Sequence, residues 1–439
     1  MALSPEDFHV NCLGECKYPS PLKLSHEYGD GIANYVRDTT CVLYKVSNED
    51  GEEFRTDLKM ERAGPRDYIF FDPPETHAGI VTCGGLSPGL NNVIRSMFLE
   101  LHYKYKVKDI IGFQYGYRGI NPKRGLDPVM MTPEYVRSIQ NEGGSVLGNS
   151  RGAEETSVLV DSLVENEIDI LFCIGGDGTL KGAHAIAEEV KKRGEKIAIV
   201  GVPKTIDNDI PFVYKTFGFD TAVGVVREAL QAAHTEAVGA PNGIGLVKVM
   251  GRDSGFIAAY GTLASTEVNF CLIPEVDFDL YGKGGLLDVL EDRIRRRGHA
   301  VIVVAEGAGQ KLFEVASTST DESGNVLHQD IGQLLKDEIN AFFKKTDLSI
   351  SLKYIDPSYM IRSVPANASD AIFCENLARN AVHAGMAGKT DVVIGLWHGL
   401  YVHLPIGLVT TSRKKINPES YLWRNVVGAT GQPVQIRSK

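Results

Sequence analysis

The sequence predicts an α/β protein made of two Rossmann-like, doubly wound lobes with an N-terminal extension. Three observations carry this reading. From His77 onward, short β-branched apolar runs alternate with longer helical patterns. The runs are nearly continuous in hydrophobicity, as in strands covered on both faces by helices. The alternation is sustained over about three hundred residues, which calls for a doubly wound sheet in more than one lobe.

Residues 1–77 are polar and weakly patterned, with turn signals at Pro19-Ser20-Pro21, Asn48-Glu49-Asp50-Gly51 and Asp72-Pro73-Pro74. They are expected to form an extension ahead of the main fold. Strands are expected at 80–82, 110–115, 170–174, 197–202, 245–249, 270–273, 300–305 and 392–396. A helix is expected over 180–193, where Ala183, Ile186, Ala187 and Val190 share one stripe and Glu188, Glu189, Lys191 and Lys192 face water. A second is expected over 370–387, with Gly388 as its stop.

Composition limits the function classes. The 439 residues carry 46 Lys+Arg against 56 Asp+Glu, a formal net charge of −10. Such a chain repels bulk nucleic acid and anionic membrane, so a phosphorylated ligand needs a local basic pocket. No apolar run reaches the roughly 18 residues of a membrane span. The N-terminus lacks the basic and apolar segments of a signal peptide, and 7 cysteines scattered along the chain do not form a disulfide framework. The expectation is a reduced, cytoplasmic enzyme with no nucleic-acid or membrane partner.

In an open parallel sheet, ligands bind beyond the carboxyl ends of the strands. The loops after the expected strands are accordingly unusual. Thr82-Cys83-Gly84-Gly85-Leu86-Ser87-Pro88-Gly89-Leu90-Asn91-Asn92 closes one strand and opens a helix. Its glycines would let the backbone approach an anion at the helix N-terminus, or would serve a tight turn only. Gly175-Gly176-Asp177-Gly178-Thr179 exposes a carboxylate at a helix start, where Mg²⁺ could bridge it to a polyphosphate. It is neither a Walker A loop nor a dinucleotide fingerprint, and a capped turn is the plainer alternative. Pro203-Lys204-Thr205-Ile206-Asp207-Asn208-Asp209 places two carboxylates beside a lysine and a threonine. A carboxylate there can take a proton from a hydroxyl substrate, and the lysine can neutralise phosphate charge; an Asx-type turn is the alternative. Met250-Gly251-Arg252-Asp253-Ser254-Gly255, Glu306-Gly307-Ala308-Gly309 and the stretch from Lys353 to Arg362 follow, the last with Lys, Tyr and Arg able to clamp a sugar phosphate. All six are expected at strand-to-loop junctions.

These motifs, in this order and spacing, resemble the phosphofructokinase family over most of the chain. The resemblance implies Mg²⁺-dependent phosphoryl transfer from ATP or pyrophosphate to the 1-hydroxyl of fructose 6-phosphate. It implies that Asp207 is the base, Asp209 its partner acid, and Thr205 a hydroxyl near the transferring group. Asp177 would be associated with the metal. Gly85, Tyr117, Arg151, Gly176, Gly178 and Thr179 would lie around the donor. Met250, Gly251, Arg252 and Glu306 would bind the fructose, and Lys353, Tyr359 and Arg362 its 6-phosphate, a site that a neighbouring subunit completes in some members. It also implies a homo-oligomer, a tetramer or dimer. Residues 78–221 plus 362–410 are expected to form the donor lobe, and 222–361 plus 411–439 the acceptor lobe.

Two positions bear on the donor. Pyrophosphate users of the family typically have Asp where this chain has Gly178, and its charge and bulk would meet the α-phosphate of ATP. Simple bacterial ATP users have Gly where this chain has Lys204, whereas pyrophosphate users have Lys there. Like charges a few ångströms apart cost about 1 kcal/mol even in water, so Gly178 outweighs Lys204 and ATP is the expected donor. Pyrophosphate is the alternative, followed by a silent regulatory subunit that binds sugar phosphate. GGDGT alone would also fit an NAD or lipid kinase. Leu99 replaces an arginine of the bacterial effector site, so that regulation is not implied. The basic run at Arg293 and Arg295–Arg297 is expected to be a helix C-terminus, with binding of an effector phosphate as the alternative.

Overall fold

A computed structural model describes residues 3–48, 53–313 and 327–438. The chain divides into two compact units, Met1–Thr205 with Ile210–Gly218 and Val364–Ser412, and Ile206–Asp209 with Phe219–Ser363 and Arg413–Lys439. In chain order the strands of the two larger sheets begin with β1 (Cys41–Leu43), β2 (Lys59–Arg62), β3 (His77–Thr82), β4 (Asp109–Phe113) and β5 (Val129–Met130). They continue with β6 (Ile170–Gly175), β7 (Ala198–Pro203), β8 (Gly243–Val249), β9 (Phe270–Leu272) and β10 (His299–Ala305). The last are β11 (Ser351–Ile355), β12 (Val392–Trp397) and β13 (Leu400–Pro405). The helices that cover them are α1 (Leu90–Leu99), α2 (Thr156–Glu165), α3 (Asp177–Arg193), α4 (Phe219–Val238) and α5 (Phe256–Ser265), then α6 (Leu286–Arg297), α7 (Ile331–Phe343), α8 (Ser358–Ser363) and α9 (Ala368–Met386).

The first unit holds a sheet of order β1-β2-β13-β12-β7-β6-β3-β4-β5 among the described residues. Its centre, β12-β7-β6-β3-β4, is parallel. Strand β6 shows why its sequence reads as continuous apolar: Ile170, Phe172 and Ile174 enter one core with residues of α1 and α9. Leu171 and Cys173 enter the other core with residues of α2 and α3. Both faces of the strand are dry, so no polar position is tolerated. Helix α9 starts two residues before the expected position because the Asn367 side chain accepts the Asp370 amide at 2.9 Å.

The sheet departs from a purely doubly wound one at its edges. Strand β13 returns antiparallel to β12 through His398 and Gly399, both at positive φ, a two-residue turn that suits a twisted hairpin. Strand β2 pairs with β13, and β1 with β2, both antiparallel. The segment expected as an extension is thus built into this unit. Phe8, Val42, Leu58 and Met60 join one core, and Val10, Ile69 and Phe71 the other. Isolated apolar residues in a polar stretch carry no period, so this packing was not visible in the pattern. Of the turn expected at 48–51, residues 49–51 lie outside the described residues. The buried Arg66 binds Asp38 at 2.7 Å and Glu61 at 2.9 Å, and Glu61 also accepts from His403 Nδ1 at 2.9 Å.

The second unit has a parallel sheet of order β9-β10-β8-β11. Val247, Val301 and Val303 face α4 and α5, while Leu246, Ile302 and Val304 face α6 and α7. Strand β11 corrects the expectation that Lys353 opens a loop. Lys353, Tyr354 and Ile355 lie within an edge strand whose residues are only partly buried or exposed, so it lacks the continuous apolar run that marks the others. Helix α6 ends at Gly298 in the left-handed conformation, with Arg295 and Arg296 paired to Glu291 and Asp292. Among the described residues no helix is long and apolar enough to cross a membrane.

Candidate active site

Gly85, Tyr117, Arg151, Gly176, Asp177, Gly178 and Thr179, the residues expected around the donor, belong to the first unit. The loop after β3 turns at Gly84, with φ of 83°. A Cβ there would lie 3.3 Å from Lys204 Nζ and 3.9 Å from Thr179 Oγ1. The Lys204 side chain donates to the Gly85 carbonyl, and a Cβ on Gly85 would meet Arg151 Nη2 at 3.4 Å. The Gly84 amide in turn donates to the Ser150 carbonyl at 2.9 Å. Three sequence motifs and Arg151 therefore converge, bringing two cations to a side-chain-free loop. That is the chemistry of a polyphosphate cradle.

Asp177 is the first residue of α3, after Gly176. Its carboxylate is held by Lys181 one turn on, at 2.9 Å. At Gly175 a Cβ would overlap the side chain of Thr179, so the tight strand-to-helix turn requires glycine. Gly178 is the opposite case: a Cβ there has nothing within 4 Å. Tyr117 is buried, and its hydroxyl donates to the Thr179 carbonyl at 2.7 Å. Tyr115 is the exposed aromatic of that turn, at positive φ.

The motif from Pro203 to Asp209 is divided. Lys204 and Thr205 belong to the first unit, and Ile206–Asp209 to the second. Thr205 offers its carbonyl to Thr216 Oγ1 at 2.6 Å. In the second unit, the Asp207 carbonyl accepts from Ser254 Oγ at 3.3 Å. Burial raises the Asp207 carboxyl well above the ordinary carboxylate range; Asp209 and Glu306 push the same way, while Arg413 and Arg252 oppose. Glu306 is raised as well, by burial, with Arg252 as the main opposing cation. Gly251, at φ of 130°, and Gly307 draw the two loops together, for a Cβ at Gly307 would overlap the Arg252 carbonyl. Met250 packs on the core below. Tyr359 is exposed on α8, with the Arg362 guanidinium 4.7 Å from its ring centre, whereas Lys353 lies mid-strand, in register with Gly245.

The structure adds residues that the motifs did not single out. Arg413 contacts Asp209 at 3.1 Å and Asp253 at 3.0 Å. Lys414 Nζ donates to Asn208 Oδ1 at 3.0 Å. His328 Nε2 lies 3.0 Å from the Arg252 carbonyl. The basic run Arg413-Lys414-Lys415 was the available signal for the first two.

The comparisons with known proteins agree with this assembly of motifs. The family model described as Phosphofructokinase matches residues 77–385. An ATP-dependent 6-phosphofructokinase of Borreliella burgdorferi is 48% identical over 98% of this chain and 98% of its own. One from Amycolatopsis methanolica is 44% identical over 99% of this chain and 97% of its own. A crystal structure of a pyrophosphate-dependent phosphofructokinase from Marinobacter aquaeolei shares the fold, with TM-score 0.67 and 18% identity over 82% of this chain and 92% of that one. The chain belongs to the phosphofructokinase family.

Proposed function

We propose that the chain is a Mg²⁺-dependent, ATP-dependent 6-phosphofructokinase. It transfers the γ-phosphoryl group of ATP to the 1-hydroxyl of D-fructose 6-phosphate, giving fructose 1,6-bisphosphate and ADP. The observation that carries this reading is the setting of Asp207, a carboxyl raised by burial and acidic neighbours and faced by Arg252 and Arg413. A raised carboxyl is the stronger base once ionised, and so suits deprotonation of an alcohol near neutral pH.

In this reading Asp207 takes the proton of the 1-hydroxyl as it attacks the phosphoryl group. Arg252 offsets charge on that group, and Thr205 lies beside it. Asp209 acts as the partner acid of Asp207. Lys204, Arg151 and the backbone at Gly84 and Gly85 hold the donor phosphates, an arrangement in which positioning and charge neutralisation do most of the catalysis. Asp177 would hold Mg²⁺; a single carboxylate suffices, because this ion takes most of its ligands from phosphate and water. When bound, Mg²⁺ supplies neutralisation of the phosphate charge. Glu306, Met250 and Gly251 contact the sugar, and Tyr359, Arg362 and Lys353 serve its 6-phosphate. The exposure of Tyr359 and Lys353 suits a site completed by a second copy, hence a homo-oligomer.

For the donor, the open space at Gly178 supports ATP, as do the names of the relatives that match end to end. Lys204 is the one feature that favours pyrophosphate. A coupled assay with fructose 6-phosphate and Mg²⁺, offering ATP and pyrophosphate separately, decides between them. Turnover is expected with ATP; turnover with pyrophosphate alone, or with neither, overturns the proposal.

A further inference from the structure

The segment at which the chain re-enters the second unit, Arg413 onward, is fastened to the loop that carries the proposed base. One Arg413 nitrogen, Nη1, lies 3.1 Å from Asp209 Oδ2 and 3.0 Å from Asp253 Oδ2. The Lys414 amide donates to the Asp209 carbonyl at 2.7 Å, and its Nζ, pushed down to about 7 by burial, donates to Asn208 Oδ1 at 3.0 Å. Two residues on, the Ile416 amide donates to Glu275 Oε1 at 2.9 Å, and Glu275 also accepts the Gly255 amide at 3.0 Å. The 207–209 loop and the 252–255 loop are thus tied to one strap of chain. Asp209 is buried and Arg413 only a quarter exposed, so their charges are poorly screened by solvent.

We propose that Arg413 is a positioning residue for phosphoryl transfer: by bridging Asp209 and Asp253 it fixes the Asp207 loop against the Arg252 loop and offsets the negative charge beside the base. This rests on the reading of Asp207 as the base. The groups that act on Asp207 are Asp209 on its own loop, Glu306 after β10, Arg252 after β8 and Arg413 on the strap, with Asp253 and Lys414 flanking the bridge. Among them the two arginines are the cations that favour the ionised base, and Arg413 is the one that bridges two acids around it. Its removal takes one cation away from Asp207 while the negative influence of Asp209 stays. Two carboxylates in one site raise each other's proton affinity. The base then needs a higher pH to ionise.

The test is the pH profile of kcat/KM for fructose 6-phosphate at saturating ATP. Arg413→Gln is expected to move the acidic limb upward by about one pH unit, the size of a typical close charge effect. Arg413→Lys, which keeps the charge, is expected to restore most of that shift. The double variant Asp209→Asn with Arg413→Gln removes both charges and is expected to bring the limb back toward wild type; it also serves if Arg413→Gln does not fold. A limb that stays in place in Arg413→Gln overturns the inference, as does an equal shift in Arg413→Lys, or a double variant displaced as far as Arg413→Gln. Asp207→Ser separates the two readings: full turnover with an intact acidic limb in that variant removes the base assignment itself, whatever Arg413 does.

Discussion

The hydroxyl of Tyr117 donates to the carbonyl oxygen of Thr179 across 2.7 Å, tying the turn after β4 to the first turn of α3. Tyr117 is buried, and at Gly182, one turn further along α3, a Cβ would press into its ring. The bond braces the helix start that carries Asp177 and Gly178. Tyr117→Phe is therefore expected to lower unfolding stability by about 1 kcal/mol, the worth of one buried hydrogen bond. The KM for ATP should stay within about threefold, since no ligand contact is lost. Denaturant melts and an ATP titration check both; an unchanged melt with a large KM increase would place the hydroxyl on the nucleotide instead.

Gly178 is the second residue of α3 and a Cβ there meets no atom within 4 Å. Gly178→Asp should fold as well as the parent, because a carboxylate in the first turn suits the helix dipole. ATP turnover is expected to fall by about two orders of magnitude or more, as charge and bulk meet the α-phosphate. Undiminished ATP turnover in a folded variant would refute the steric argument for the donor.

Gly307 sits against the backbone of Arg252 so closely that a Cβ would overlap its carbonyl. Backbone cannot swing aside as a long side chain can, so Gly307→Ala must displace the loop bearing Arg252. The expected result is a loss of about a hundredfold in kcat/KM for fructose 6-phosphate, the cost of a misplacement on the order of 1 Å. ATP binding, measured by fluorescence titration without the sugar, should be unchanged. A variant with normal kcat/KM would show that the Arg252 position is not critical.

Glu61 ties the N-terminal segment to the first unit. Burial acts to raise its carboxyl, but the His403 hydrogen bond and charge, with Lys389 and Arg66, hold it at about 2, against an ordinary 4.5. A carboxyl depressed on folding stabilises the protein above the ordinary value, and that contribution is lost as pH falls from 4.5 toward 2. Glu61→Gln should flatten the acid side of the stability curve in that window. It should also cost about 2 kcal/mol near neutrality, because Lys389 loses its nearer carboxylate and Arg66 keeps only Asp38. Melting temperatures from pH 2 to 7 test this, and parallel curves for variant and parent would contradict it.

What could be read from the sequence alone was what is written locally. The strands of both sheet centres are legible because both their faces are dry, and the glycine-bearing loops after them because turns and phosphate approach demand glycine at fixed offsets. Gly175, Asp177, Gly178, Lys204, Asp207, Arg252 and Glu306 all fall at the carboxyl ends of those strands or in the segments that follow them. Tertiary structure decided the rest. Arg413 meets Asp209 across 204 residues of chain, Tyr117 turns inward while Tyr115 stays exposed, and β1, β2 and β13 complete a sheet edge from two distant segments. Such pairings depend on which surfaces the packed helices and strands bring together, and a one-dimensional pattern carries hydrophobic period and turn chemistry but no record of distant partners.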